Sequence, residues 1–240
     1  NNKYPYGGNN AADNSGVMTY VSICYAGARS TQDIEHNGLT LNGVGNGTTI
    51  ENIYVLESAD DAIEFFGGTV NVKNLLAVNP DDDMFDFTQG YCGTLSNCYG
   101  IWESDYTSTE ADPRGIEADG NFDGLYPNHL RQSDFVVDGM TIVNNAANTT
   151  DNVDRMQDVI KIRRGAKATI KNALVKGTGG AIDLVDMNDG KGAGNAASTI
   201  SITNSLQLTG KKLNGEAVLN EAGSNTGADT SVFGWTKYNF

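Results

Sequence analysis

A short segment that recurs about every 22 residues constrains this chain more than any other feature. Residues 50–56 (IENIYVL) are followed by residues 72–78 (VKNLLAV) and 95–101 (LSNCYGI). The same frame reappears at 170–174 and 202–208, and looser copies occur at 17–23 and 136–142. A repeat of this length is one supersecondary unit that buries its apolar face only by stacking on its neighbours. The period therefore predicts a solenoid.

Each copy alternates apolar and polar side chains, which is typical of a β-strand with one face in a core. We expect the central asparagines to point inward and to form a ladder in which each amide hydrogen-bonds the next. These structural residues are Asn52, Asn74, Asn97, Asn172 and Asn204. A second strand set with glycine turns lies between the copies, so the predicted fold is an all-β parallel solenoid. A tandem of hairpin domains would also explain the period, but not the single file of asparagines.

The chain is predicted to form a single domain over residues 1–240. Residues 1–16 are a polar lead-in, residues 17–213 form the coils, and a loop insertion lies near 103–133. Residues 214–240 lack the repeat and are expected to be a C-terminal cap, because the open edge of a solenoid needs a cover.

Four motifs carry a resemblance to a known family: residues 38–50 (GLTLNGVGNGTTI), 60–69 (DDAIEFFGGT), 81–87 (DDDMFDF) and 162–165 (IRRG). The chain resembles an uncharacterised family of secreted or lipoprotein-type bacterial proteins that are frequent in Bacteroidetes, some with a type IX secretion sorting domain. This resemblance implies a right-handed parallel β-helix of the pectin-lyase-like superfold. It also implies an extracellular or outer-membrane surface location, and it brings no reaction with it.

The formal charge of −14 and a pI near 4.4 disfavour nucleic acid, because binding to phosphates needs a basic surface. They favour cations, neutral sugars or basic partners. No apolar stretch is long enough for a direct membrane span.

Glu64, Asp86 and Glu117 occupy the outward position of successive second strands, and stacked strands lie about 4.8 Å apart. Like charges at this spacing need a bound cation, a raised pKa or a basic neighbour. Lys161 is expected one coil further along, followed in the same column by Asp183. The adjacent turns add the carboxylates of Asp60, Asp61, Asp82 and Asp83, so a Ca²⁺ site with Glu64 and Asp86 is possible. The alternative is that these aspartates favour turns and stay solvated.

The favoured function is binding of a glycan or a cell-surface partner on the outer face of the solenoid. Expected contacts are Trp102, Tyr106, Tyr126, Arg163 and Arg164, with Tyr91 as a further exposed aromatic. The alternative for each aromatic is plain loop packing. A purely structural spacer is another alternative.

A carbohydrate-active enzyme, either a polysaccharide lyase or a glycoside hydrolase, is the second hypothesis. Its catalytic candidates are Glu64, Asp86, Glu117, Lys161 and Arg163. Acidic neighbours raise the pKa of a basic side chain, which weighs against a lyase base.

Two further expectations concern the first strand set. Ile53 and Leu75 should point outward and form an apolar patch that a partner or a missing segment covers. Cys92 and Cys98 are six residues apart and are a disulfide candidate, provided that Cys98 also points outward.

Overall fold

The computed structural model describes residues 6–28, 36–146 and 156–240, and in them the chain folds into two parallel β-sheets. The first sheet has eight strands in the spatial order β1 Val17–Cys24, β3 Thr49–Leu56, β5 Asn71–Val78, β7 Thr94–Trp102, β9 Asp134–Asn144, β11 Lys167–Lys176, β13 Thr199–Asn204 and β15 Val218–Glu221. The second has seven: β2 Leu39–Asn42, β4 Ile63–Phe66, β6 Phe85–Thr88, β8 Ile116–Asp119, β10 Met156–Arg163, β12 Gly180–Asp186 and β14 Gln207–Leu208. Two 3-10 helices cover Phe122–Gly124 and Thr230–Thr236.

Seven coils contribute one strand to each sheet, β15 adds a last strand to the first sheet, and the pairings between neighbouring strands are parallel. This is the right-handed parallel β-helix that the repeat and the resemblance predict, so the fold prediction is confirmed. The core runs between the sheets and contains an aromatic stack in which Phe87 lies 5.1 Å from Phe65 and 4.1 Å from Phe135, centroid to centroid.

The asparagine ladder exists, but it lies at a corner of the strand rather than in the core. Asn52, Asn74 and Asn97 have left-handed backbones with φ between 53° and 58°, a conformation that asparagine tolerates better than most residues. Asn74 Nδ2 donates to Asn52 Oδ1 at 2.9 Å, and Asn97 Nδ2 donates to Asn74 Oδ1 at 2.8 Å.

The ladder is shorter than predicted. Gly139 takes the left-handed position in the next coil, and without a side chain it cannot continue the ladder. Asn172 has the same left-handed backbone but bonds to the C-terminal tail. Asn204 pairs with Val175 rather than with Asn172, so its assignment to the ladder is wrong.

The left-handed corner also reverses the side chains that follow it. Ile50 and Ile53 both lie in the core although they are three positions apart, because the corner adds one residue to the strict alternation. Ile53 and Leu75 are fully buried, and the prediction that they form an outer patch is wrong. Cys98 is buried for the same reason, and the free thiols of Cys92 and Cys98 contradict the predicted disulfide.

The apolar side chains that do face outward form a second cluster, covered by the C-terminal tail, residues 226–240. Leu76, Val78 and Tyr99 of the first sheet pack there against Phe233 and Val232. The tail backbone also bonds to the outer side of the corner residues, for example from Asp229 N to Asn97 Oδ1 at 2.6 Å. The tail therefore covers a face of the solenoid, whereas the sequence had predicted a cap over its end.

The predicted insertion near 103–133 is two loops rather than one. The strand Ile116–Asp119 lies between them and pairs with its neighbours in the second sheet. The loops at 103–115 and 120–133 therefore leave the solenoid on the two sides of this strand.

Removing the ring that anchors the tail should destabilise the protein. Phe233 is fully buried, so Phe233→Ala should lower the free energy of unfolding by about 3–5 kcal/mol through lost burial and the cavity left behind. Urea denaturation measures this, with Leu130→Ala as the control because Leu130 is fully exposed. Equal losses in the two variants would contradict the assignment of the tail as a packed element.

Candidate functional site

The outer face of the second sheet carries a column of charged side chains that crosses five coils. Backbone pairing places Glu64 opposite Asp86, Asp86 opposite Glu117 and Glu117 opposite Lys161. The column ends at Asp186, since Lys161 pairs with that residue. The prediction of Asp183 at this position was off by three residues, because Asp183 lies opposite Asp158 instead.

A second column comes from the turn that precedes these strands. Asp83 N donates to Asp61 Oδ1 at 3.0 Å, and Met84 N bonds to Arg114 O in the next coil. Asp61, Asp83 and Arg114 therefore occupy equivalent positions in successive coils. Oxygens of Asp61, from this second column, and of Glu64 and Asp86, from the first, lie within 4.8 Å of one another, so the two columns meet on one surface.

The half of this surface nearer the N-terminus is purely acidic. We call Asp60, Asp61, Glu64, Asp82, Asp83 and Asp86 the acidic cluster. Oxygens of Asp60, Asp61 and Asp82 lie within 4.8 Å of one another, and so do oxygens of Asp61, Glu64 and Asp86. Among the described residues, no lysine or arginine forms an ion pair with any member of the cluster.

The neighbouring half is neutralised by the protein's own cations. Arg114 contacts Glu117 and Asp112, the latter at 2.7 Å. Lys161 Nζ lies 3.7 Å from Asp158 and closer still to Asp186. Arg163 bonds to Glu117 and, through Nε at 2.9 Å, to Asp119.

Burial among like charges raises the carboxyl pKa values of the acidic cluster. The pKa of Glu64 rises to about 7 and that of Asp82 to about 8, with burial as the largest cause in each case. Asp61, Asp83 and Asp86 are shifted well above their ordinary pKa, first by burial and then by neighbouring carboxylates. The folded protein therefore holds these groups at an electrostatic cost.

Several cluster oxygens also lack a hydrogen-bond partner. Asp83 is only 2% exposed, and its Oδ1 bonds to no described group. The buried Oδ1 atoms of Asp82 and Asp86 also have no hydrogen-bond partner among the described residues. Buried acceptors without partners are rare and call for an explanation such as an ion.

A groove of about 600 Å³ adjoins the acidic cluster. Phe66 lines it and follows Glu64 by two residues on the same outer face, and Tyr6 donates a hydrogen bond across it to Gln89. Phe122 and Arg131 line it as well, and among the described residues no acidic side chain does so. The groove thus combines aromatic rings with polar groups, as binding sites for small ligands do.

The polypeptide backbone fixes the shape of this groove. Ala11 O accepts bonds from Asn46 N at 2.9 Å and from Thr69 Oγ1 at 2.5 Å, which ties the lead-in to two successive turns. Gly43 has φ of 64°, and a Cβ at this position would lie 2.7 Å from Gly7 Cα. Only glycine therefore allows the lead-in to lie this close to the turn.

Most of the aromatic residues predicted to contact a ligand are instead packed inside the protein or hydrogen-bonded to it. Trp102 and Tyr91 are buried, and their polar atoms bond to backbone carbonyls. Tyr106 is half-buried and donates to Asp81. Of the predicted aromatic contacts, Tyr126 is exposed, so the predicted aromatic platform is wrong for Trp102, Tyr91 and Tyr106.

The predicted basic contacts are held in ion pairs. Arg164 bonds to Asp119 and Asp189, each at 2.9 Å, and Arg163 bonds to acids as described above. Burial alone would lower the pKa of Arg163, but its contacts with Glu117 and Asp119 raise it. Neither guanidinium is therefore suited to remove a proton.

Sequence reasoning missed Arg114 and Tyr6, two residues that define the site. Arg114 follows Pro113 in an irregular loop, where no strand pattern indicated its register. Tyr6 lies in the polar lead-in, and contact with Gln89, 83 residues away, leaves no local signal.

The raised carboxyl pKa values predict that stability falls as the pH rises. Because the folded-state pKa values exceed the unfolded ones, their stabilising effect is present at low pH and is lost through about pH 7 for Glu64 and pH 8 for Asp82. In a chelator, the melting temperature should be higher at pH 5.5, which is below the pKa values of both Glu64 and Asp82, than at pH 8.5, which is above both. Asp86→Asn should reduce the difference, whereas exposed Glu216→Gln should not. A pH effect that Asp86→Asn leaves intact would contradict this electrostatic account.

Among the described residues, no helix has the length and apolar character needed to cross a membrane. No curated protein and no solved structure matches the chain. The family described as pectate-lyase like beta helix domain matches residues 2–237, which is nearly the whole length. The chain therefore belongs to the pectate-lyase-like β-helix domain family.

Proposed function

We propose that this protein binds a glycan on the outer face of its second sheet, with a divalent cation held in the acidic cluster. Membership of the pectate-lyase-like β-helix family fits a carbohydrate-related role. The location that accompanies this proposal is the extracellular space or the outer-membrane surface of a bacterium. Ca²⁺ is the favoured cation, because it takes six to eight oxygen ligands in flexible geometry.

One observation carries the proposal: the contrast between the two halves of the charged surface. Where Arg114 and Lys161 are present, their positive charges lie among Glu117, Asp158 and Asp186. One or two coils earlier, the equivalent positions hold carboxylates alone. A bound cation would supply the missing positive charge, lower the raised pKa values and occupy the unpartnered oxygens.

The groove supports a glycan as the larger ligand. Tyr6 and Phe66 meet edge to face at 6.4 Å between centroids and leave ring surface at the groove, since Tyr6 is 47% exposed. Such surfaces suit the apolar faces of sugar rings, while Gln89 and Arg131 offer hydrogen bonds to hydroxyls. A sugar in the groove lies within two residues of Glu64 along the strand, so its oxygens can reach a cation in the cluster.

Cation binding should depend on the acidic cluster and not on acidity in general. Asp86→Asn removes a charged ligand and should weaken Ca²⁺ binding to chelator-treated protein about tenfold or more, which is about 1.4 kcal/mol. Asp183→Asn is the matched control, because Asp183 is equally part of an acidic trio, but the other two members of that trio, Asp158 and Asp186, are paired with Lys161. Isothermal titration calorimetry decides the matter, and equal affinities in the two variants would contradict the assignment.

Glycan binding should depend on both the groove and the cation. On a glycan array, binding should fall when Ca²⁺ is chelated, and Tyr6→Ala should lower affinity about fivefold, because one aromatic contact contributes about 1 kcal/mol. Tyr25→Ala is the control, since Tyr25 is 72% exposed and does not line the groove. Binding to a cell-surface protein but to no glycan would replace this ligand class. Binding to neither would favour a structural spacer.

A glycoside hydrolase is the second candidate, and the pKa of Glu64 is the observation that favours it. A carboxyl group with a pKa of about 7 is suited to act as a general acid at neutral pH. Asp86 lies on the neighbouring strand, close to the separation of about 5 Å that retaining enzymes use. Release of reducing ends that Glu64→Gln abolishes would establish this alternative over simple binding. A lyase is disfavoured, because Lys161 and Arg163 are both ion-paired.

A further inference from the structure

Two trios of carboxylates lie wholly within the acidic cluster and share one member. Asp60 and Asp82 form one trio with Asp61, and Glu64 and Asp86 form the other, again with Asp61. In each trio, one oxygen of every residue lies within 4.8 Å of the others. Asp61, the member that both trios share, is 5% exposed, so its carboxylate faces little solvent. A further trio joins Asp83 and Asp86 to Glu117, whose charge is already offset by Arg114 and Arg163.

The charge of the cluster exceeds what one divalent ion offsets. Its six carboxylates carry six negative charges when ionised, and one divalent cation would leave four of them. A second would leave two, which the nearby charge of Arg114 lessens further, since that charge acts on both Asp82 and Asp83.

Carboxylate oxygens without a hydrogen-bond partner occur in both trios and not in one of them alone. Asp82 belongs to the first trio and Asp86 to the second, and each has a buried oxygen without a hydrogen bond. Asp83 is 2% exposed and also has an unpartnered oxygen, and one of its carboxylate oxygens lies within 4.8 Å of an Asp86 oxygen. A single ion in one trio would leave the unpartnered oxygen of the other unexplained.

The same protein shows what a trio of this geometry holds. Asp158, Asp183 and Asp186 form another trio with the same oxygen spacing, and Lys161 Nζ lies against two of its members. Arg114 Nε also lies 3.8 Å from Asp158, so the protein's own cations accompany this trio. In the described part of the chain, the two trios that lie within the acidic cluster have no such ion pair, so each calls for a positive centre of its own.

We propose that the acidic cluster binds two divalent cations, one in each trio, with the Asp61 carboxylate bridging them. This inference rests on the proposed cation-binding function and adds its stoichiometry and geometry. Cations bridged in this way in two-metal sites lie about 3.5–4 Å apart. A paired centre presents two adjacent Lewis acids to the groove, so it favours ligands with neighbouring oxygens, such as vicinal sugar hydroxyls.

The test is the number of Ca²⁺ ions bound by the chelator-treated full chain, from calorimetry and native mass spectrometry. The wild type should bind two ions. Asp82→Asn and Glu64→Gln should each reduce the number to one, because each removes a ligand from one trio only, and Asp61→Asn should weaken both ions at least tenfold. Asp183→Asn should still bind two.

Other outcomes separate this inference from the proposed function. One ion in the wild type, with Asp82→Asn unchanged, would overturn the paired centre and leave the single cation site standing. No Ca²⁺ binding at all would overturn both. Should Asp61→Asn fail to fold by circular dichroism, the two single-trio variants decide the question, because they alter partly exposed side chains.

Discussion

Backbone hydrogen bonding between successive coils is the constraint on which the rest of this protein depends. It holds equivalent residues about 4.8 Å apart, so a sequence offset of one coil becomes direct contact. The aromatic stack of Phe65, Phe87 and Phe135 and the ladder of Asn52 and Asn74 gain from this spacing. For the carboxylates of Glu64 and Asp86 the same spacing is unfavourable, because the strand pairing that stacks the core residues also places two negative charges next to each other.

The protein resolves this repulsion in two ways along one surface. In the later coils, arginine and lysine side chains interleave with the acids and form ion pairs. In the earlier coils, the acids keep raised pKa values and unpartnered oxygens. Structural stability alone would favour the first arrangement everywhere, and sites that depart from local stability are typically functional. The second arrangement lies beside the groove, where a ligand would need it.

Sequence reasoning reached the fold and much of the charged surface, because both follow from period and register. The column from Glu64 through Asp86 and Glu117 to Lys161 follows from the motif spacing alone. The inward or outward direction of Ile53 did not, since a left-handed Asn52 adds a residue that a strict alternation ignores. Alternation is reliable only while the backbone stays extended.

Contacts between distant segments were beyond prediction for a different reason. The tail that covers Leu76 and Val78 and the lead-in that places Tyr6 against Gln89 carry no repeat, so no sequence pattern indicated where they lie. The burial of Trp102 likewise depends on its bond to Pro80 O, in the coil before it. Loops and termini thus determined which aromatic groups remain available to a ligand.

The most direct test of the account is a crystal structure of the protein grown with Mn²⁺, an anomalous scatterer that takes oxygen ligands as Ca²⁺ does. Anomalous difference density should lie among Asp61, Glu64 and Asp86, with Asp158, Asp183 and Asp186 still holding Lys161. Density confined to other parts of the surface, or an empty acidic cluster at saturating Mn²⁺, would contradict it.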